Sequence, residues 1–449
     1  MKEKREAPMS PSLMIAIGFA LLILLATLLL MLPISSQSRT VTPPLTALFT
    51  ATSAVCVTGQ ALVDTGTHWS LFGQIVLIVA IQIGGLGVMT LLALVSMAMG
   101  RRIGLRQRTI LQESVASFSV GGIVRLIRLA LIGTAIIEGL GAAALAFRFV
   151  PMLGWAKGLW YSVFHAISAF CNAGFDLMGP VSGSFSSLER FAGDPLINLT
   201  VMTLILVAGL GFPVWQDLIK NRLCWKKLRL HTRVVLALTA FLVLVPAALF
   251  FITERNAAMA GMPTGTRVWA SLFSAVTPRT AGFDTVPTGE LSPAGGMLTL
   301  LLMLTGGNSG STAGGAKTTT LLLVVLTAVS ILRGEEDVHI FGRRIENDLL
   351  RRACSIVVVY LTLGAMATLA ICAMQPEFTL QQVLIEVFSA LDTVGLTAGI
   401  TRQLNTASRV LLILLMYAGR LGSMTFMILL TRRKPPAPVQ YPTDKILVG

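Results

Sequence analysis

Ser53-Ala-Val-Cys-Val-Thr-Gly59, Ser168-Ala-Phe-Cys-Asn-Ala-Gly174, Val276-Thr-Pro-Arg-Thr-Ala-Gly282 and Ser389-Ala-Leu-Asp-Thr-Val-Gly395 are four stretches of one chain, and their likeness decides its fold. Three begin Ser-Ala at the same offset, and all four end in glycine. Each closes a short apolar segment, at 45–55, 158–170, 267–277 and 380–391. Crossing a bilayer takes roughly 20 helical residues, so these segments are too short to span and read as re-entrant. One glycine after such a segment is a weak signal, because glycine is the usual C-terminal cap of a helix. Four at the same place point to a shared role.

Longer apolar spans flank each short segment, at 13–33, 74–99, 126–147, 196–219, 234–252, 297–332 (interrupted), 353–374 and 408–430. The run from Leu13 to Leu32 carries no charge, is too long for a signal-peptide core and reads as retained. Of 449 residues, 54% are hydrophobic and 12% charged, where a soluble domain carries about a quarter. The apolar runs are continuous rather than alternating, and in lipid each backbone group must be satisfied internally, so helices are preferred over a barrel. The expected fold is an all-α polytopic membrane protein. It has four tandem span–pore-helix–span repeats in the same orientation around a central pore. Their expected limits are 1–110, 111–228, 229–345 and 346–434, with a cytoplasmic C-terminal tail at 435–449.

The net charge of +14 gathers in clusters at Lys2 to Arg5, Arg101 to Arg108, Lys220 to Arg233, Arg333 to Arg352 and Arg432 to Lys434. Each lies beside or between hydrophobic spans, as topology determinants do where a chain faces the cytoplasm and anionic lipid. An even number of spans then leaves both termini cytoplasmic, and nucleic acid is not an expected partner. The five cysteines are scattered without paired metal-ligand spacing, and so are the four histidines. No disulfide framework or zinc site is expected.

The glycines suit a cation filter. An ion entering a narrow pore must exchange its water for fixed oxygens, which rings of backbone carbonyls supply. Glycine allows the required conformations without a Cβ clash. Half-helices ending there aim partial negative charge at the ion. The candidate filter residues are Val57, Thr58 and Gly59; Asn172, Ala173 and Gly174; Thr280, Ala281 and Gly282; and Thr393, Val394 and Gly395.

Within the sixth span, Thr305-Gly-Gly-Asn-Ser-Gly-Ser-Thr-Ala-Gly-Gly-Ala-Lys317 cannot be ordinary lipid-facing helix. A phosphate-binding loop fails because Ala316 separates Gly315 from Lys317 and no strand precedes it. Two readings stand: a loop lining the cavity below the filter, or a kink between closely packed helices. Arg420 lies roughly 18 Å down the last span at 1.5 Å per residue, where charge is costly. Carbonyls and hydroxyls of residues 306–315 are its expected partners. Lys317 either faces the cavity or snorkels. Asp392 and Arg279 each precede a filter glycine by three residues, and either tie filter segments to neighbours or simply cap. His165 and Ser168 lack an acid and a nucleophile elbow, so an enzyme is not expected. An organic-substrate carrier would favour inverted repeats, whereas these share one orientation.

The strings Cys56-Val-Thr-Gly-Gln60, Cys171-Asn-Ala-Gly-Phe175, Pro278-Arg-Thr-Ala-Gly-Phe283 and Thr393-Val-Gly-Leu-Thr397 resemble the Ktr/Trk/HKT superfamily of potassium transporters. The likeness covers essentially the whole chain. It points to the KtrB-type membrane subunit, since a Trk-type subunit carries extra spans before the first repeat. The resemblance implies a potassium pathway through each monomer of a homodimer in the cell membrane, with K+ held at the filter carbonyls. It also implies a cytosolic nucleotide-binding regulatory ring subunit of the KtrA type; such systems are associated with sodium dependence, which nothing in the residues themselves shows, and no organic cofactor is expected in this chain. Relatives with serine in the first filter position lean to sodium, and Gly59 matches the potassium-selective pattern. A gate is implied at Gly306, Gly307, Asn308, Ser309, Gly310, Ser311, Thr312, Ala313, Gly314, Gly315 and Lys317, faced by Arg420.

Overall fold

A computed structural model describes residues 11–87, 122–222 and 224–422. The basic clusters at Lys2 to Arg5, Arg101 to Arg108 and Arg432 to Lys434, the repeat boundary at 110/111 and the tail at 435–449 lie outside the described residues. Each repeat opens with a long apolar outer helix: Pro11–Met31, Ile123–Leu153, Leu230–Thr253 and Asn347–Met374. All four reach the length and apolarity that membrane crossing requires. Their outward faces keep large apolar side chains in the open, among them Leu21, Leu140, Ile252 and Leu369 at 63–70% exposure. Such extended apolar faces belong against lipid.

The pore helices run Pro44–Cys56, Trp155–Phe170, Thr264–Val276 and Leu380–Leu391. Proline at the start of the first supplies a φ suited to helix initiation. The last opens with a capping box between Thr379 and Gln382. With 12 to 16 residues each, they end within the protein and carry fully buried polar side chains such as Thr52, Ser53, Ser168, Glu386 and Ser389. The outer faces are apolar as well as the core, and the buried polar side chains gather toward the ends of the pore helices.

The inner helices correct the sequence reading. They run Leu71–Leu86, Pro195–Leu210, Pro293–Thr305 and Thr406–Leu421, and every one stops at a glycine with positive φ. These are Gly87 (87°), Gly211 (95°), Gly306 (48°) and Gly422 (81°). Only the third repeat was expected to break. In the second, Phe212–Asn221 continues at 91° to Pro195–Leu210, so 196–219 is sharply bent rather than one straight helix. The physical reason lies at Gly211, where a Cβ would lie 2.7 Å from the Ser309 carbonyl. The break makes room for repeat 3. Continuations of the first and fourth inner helices fall outside the described residues.

The repeats close into a ring in chain order. Each inner helix packs against the pore helix of the next repeat, and the last inner helix packs against the first pore helix. Between repeats 3 and 4, His339–Ile340 pairs antiparallel with Arg343–Arg344 in a small hairpin.

Candidate ion pathway

All four glycine-ended stretches meet at the centre of this ring with one backbone pattern. A residue of left-handed conformation comes first: Val57 (φ 57°), Asn172 (59°), Thr280 (71°) and Thr393 (52°). Two residues later comes a glycine, again with positive φ: Gly59 (100°), Gly174 (68°), Gly282 (77°) and Gly395 (101°). Non-glycine residues at positive φ are uncommon, and for β-branched Val57, Thr280 and Thr393 they are outliers. Such strain costs roughly 1–3 kcal/mol per residue and persists where the surroundings over-determine it.

The glycines touch one another around an axis. A Cβ on Gly59 would lie 2.6 Å from the Ala173 carbonyl, 3.1 Å from Gly395 Cα and 3.3 Å from Gly174 Cα. On Gly174 it would meet the Ala281 carbonyl at 2.9 Å. On Gly282 it would run into the Val394 carbonyl, and on Gly395 into the Thr58 carbonyl. The contacts thus pass from repeat 1 to 2, 3, 4 and back to 1. At each seam a backbone carbonyl abuts the neighbouring glycine, and no side chain fits.

Hydroxyls from the pore helices hold these turns. Gly59 N and Gly395 N donate to Ser53 Oγ and Ser389 Oγ, each at 3.0 Å. Ser168 Oγ donates instead to the Phe175 carbonyl at 2.7 Å. Repeat 3 has Val276 where the others have serine, and its neighbour Thr277 donates to the Phe283 carbonyl at 2.5 Å. The shared Ser-Ala pattern is therefore a brace for the segment that follows. Asn172 Oδ1 and Nδ2, Thr280 Oγ1 and Thr393 Oγ1 are buried without a protein partner. They add polar atoms beside the glycine ring.

Gly306–Lys317 crosses beside this ring and touches repeats 2 and 4. Asn308 Nδ2 donates to the Gly209 carbonyl (2.8 Å), and Phe212 N donates to the Gly310 carbonyl (2.9 Å). Thr312 Oγ1 donates to the Phe170 carbonyl (3.2 Å), and Gly315 N to that of Gly419 (3.2 Å). Asp392 Oδ1 accepts from Ala316 N at 3.0 Å, tying the fourth glycine-ended stretch to the loop. Gly314 and Gly315 lie so close to Thr393 and Asp392 that a Cβ on either would clash.

Arg420 reaches the same loop. Its Nη1 donates to the Thr312 carbonyl at 2.6 Å, and its Nη2 to those of Gly84 and Gly85. One guanidinium thereby joins the loop of repeat 3 to the inner helix of repeat 1 from a helix of repeat 4. Lys317 turns back on its own loop, its Nζ donating to the carbonyls of Ala313 (2.6 Å) and Gly314 (2.8 Å). Arg279 is buried, with Nε and Nη1 unpartnered. His165 braces repeat 2, its Nε2 accepting from Leu177 N at 3.3 Å.

Several residues at this centre escaped the sequence reading. Gly84, Gly85, Gly209 and Gly211 form the seat of the loop and of Arg420, and repeated glycines late in each inner span were the available signal. Glu138, inside the outer helix of repeat 2, accepts from Gln82 at 3.2 Å, and Cys171 lies 3.4 Å from Gln82. A carboxylate within an apolar span is a site candidate by default, and Glu138 is one.

Comparison with known proteins agrees with this architecture. The family model "TrkH: Cation transport protein" matches residues 3–438. The chain is 38% identical over 445 residues to the Ktr system potassium uptake protein B of Bacillus subtilis (strain 168), covering 98% of this chain and 97% of that protein. It is 39% identical over 455 residues to the potassium/sodium uptake protein NtpJ of Enterococcus hirae, covering 100% and 99%. The crystal structure of the potassium transporter TrkH from Vibrio parahaemolyticus has the same fold. The TM-score is 0.72 at 18% identity, over 96% of this chain and 87% of that one.

Proposed function

Since this chain belongs to the TrkH family of cation transport proteins, we propose that it takes up potassium across the cell membrane through the ring of Gly59, Gly174, Gly282 and Gly395. The family is one of transporters, not enzymes. The observation that carries the reading is the closed cycle of carbonyl-to-glycine contacts, one seam per repeat. Such a ring can replace an ion's hydration shell. Val57 to Gly59, Asn172 to Gly174, Thr280 to Gly282 and Thr393 to Gly395 form the filter. Gly306 to Lys317 and Arg420 form a gate beneath it, and the hydrogen bonds to repeats 2 and 4 support a closed arrangement. Potassium uptake is what the similar proteins are named for, and the sodium in one of those names makes Na+ the competing ion to test. Both termini are assigned to the cytoplasm. The working form is a homodimer with a cytosolic nucleotide-binding ring subunit. Potassium uptake by proteoliposomes, with sodium as competitor, tests the reading. Potassium should enter and sodium should compete weakly, and equal entry of both ions would overturn the filter assignment.

A further inference from the structure

Glu386 is a fully buried carboxylate on the pore helix of repeat 4, nine residues ahead of Gly395. Among the described residues no lysine or arginine forms an ion pair with it. Its oxygens are met by donors from two repeats. Gln60, directly after Gly59, donates through Nε2 to Glu386 Oε2 at 2.9 Å and to the Glu386 carbonyl at 3.0 Å. From repeat 4, Thr397 Oγ1 and Ala398 N (3.2 Å) donate to Oε1, while Thr401 Oγ1 lies 2.9 Å from Oε2. The matching positions elsewhere stay within their own repeats. Thr50 bonds its own helix at Thr46, His165 joins Tyr161 to Leu177, and Phe273 has no polar group.

We propose that Glu386 is a positioning residue for ion selection, clamping the segment after Gly59 to the segment after Gly395. The clamp spans the seam where the Thr58 carbonyl abuts Gly395. It therefore fixes how far one carbonyl of the ring stands from its neighbour. An ionised carboxylate only accepts, and here every neighbour can donate. Hydrogen bonds to a charged acceptor are about twice as strong as neutral ones, which suits a spacing that must not drift. An amide at this position would turn an NH2 group toward other donors.

The inference rests on the filter reading above, and the experiment separates the two. Purified wild type, Glu386→Gln and Gln60→Leu are reconstituted at equal monodisperse protein, and potassium and sodium uptake are measured separately. The ratio of the two rates does not depend on how much protein is active. A potassium-preferring wild type is expected. Glu386→Gln should lose at least about tenfold of that preference, and Gln60→Leu should move the same way to a smaller extent. If the wild type prefers potassium and both variants keep its ratio, the clamp is refuted while the filter stands. A wild type without preference overturns both. Should Glu386→Gln fail to yield monodisperse protein, the ratio of Gln60→Leu alone decides.

Discussion

At Gly59 a side chain has nowhere to go, since the φ of 100° disfavours one and the Ala173 carbonyl occupies its space. Gly395 is in the same position against the Thr58 carbonyl. Serine at either site must push a carbonyl off its place in the ring, and the conformation itself costs about 1–2 kcal/mol for a residue with a Cβ. Gly59→Ser and Gly395→Ser should therefore each lower potassium-over-sodium preference by roughly tenfold, a shift of about 1.4 kcal/mol. Growth of an uptake-deficient host at low potassium, with and without sodium, reads this out. Unchanged selectivity in both would remove the glycines from the filter. These glycines were legible because repetition turned a common helix cap into a pattern. The left-handed conformation of Val57, Thr280 and Thr393 was not, because β-branched residues avoid that region and only a surrounding fold holds them there. Arg420 was legible as a lone charge deep in a span. Its bonds to Gly84 and Gly85 were not, being set by packing between the last repeat and the first.

Among the elements, the loop at 306–317 stands out in sequence because polar, glycine-rich residues interrupt an apolar run. The bend at Gly211 does not, because Leu210 and Phe212 keep the hydropathy high across it. A window average reads through such a break. The two features are one construction, with the loop entering the space that the bent helix leaves and bonding to Gly209 and Phe212 on either side. Its polar backbone lies against Asp392 and Thr393, and Arg420 fixes it there at Thr312. A fixed cation near a cation path raises a barrier that water screens poorly at this depth. Deleting residues 308–313, or replacing Arg420 with alanine, should therefore raise potassium flux by several-fold per folded protein in liposomes without any regulator. If Arg420 serves only as an anchor, its loss leaves three carbonyls without their donor and the variant shows lower yield and lower flux. Flux per monodisperse protein separates the outcomes, and a fall in both variants would end the gate assignment.

For the whole molecule, closure in chain order brings together residues far apart in sequence, as at Gln60 and Glu386. No local pattern announces such a pair, so the ring's existence was legible and its seams were not. The same closure assembles a basic face. Lys220 to Arg233 and Arg333 to Arg352 lie in different connections, yet Trp225 from the first packs edge-on against Phe341 from the second, with centroids 6.4 Å apart. Between them is a cavity of about 360 Å³, lined by Arg229, Leu230, Leu323, Ile340 and Leu349 among others. The helix Thr318–Leu332 lines its wall and also continues directly from the loop at 306–317, so force applied at this face reaches that loop through a rigid element. A regulator docking here could bias the loop without entering the pore. The protein should accordingly form a dimer that co-purifies with a soluble nucleotide-binding ring subunit. Photo-cross-linkers at Trp225 and Phe341 should capture that subunit, while one at Leu140 on the lipid face should not. Phe341→Ala should weaken the regulator's effect on flux and leave flux without regulator unchanged. A fully active monomer, indifferent to any cytosolic subunit and uncross-linked at both aromatic positions, would make the basic face a topology signal alone.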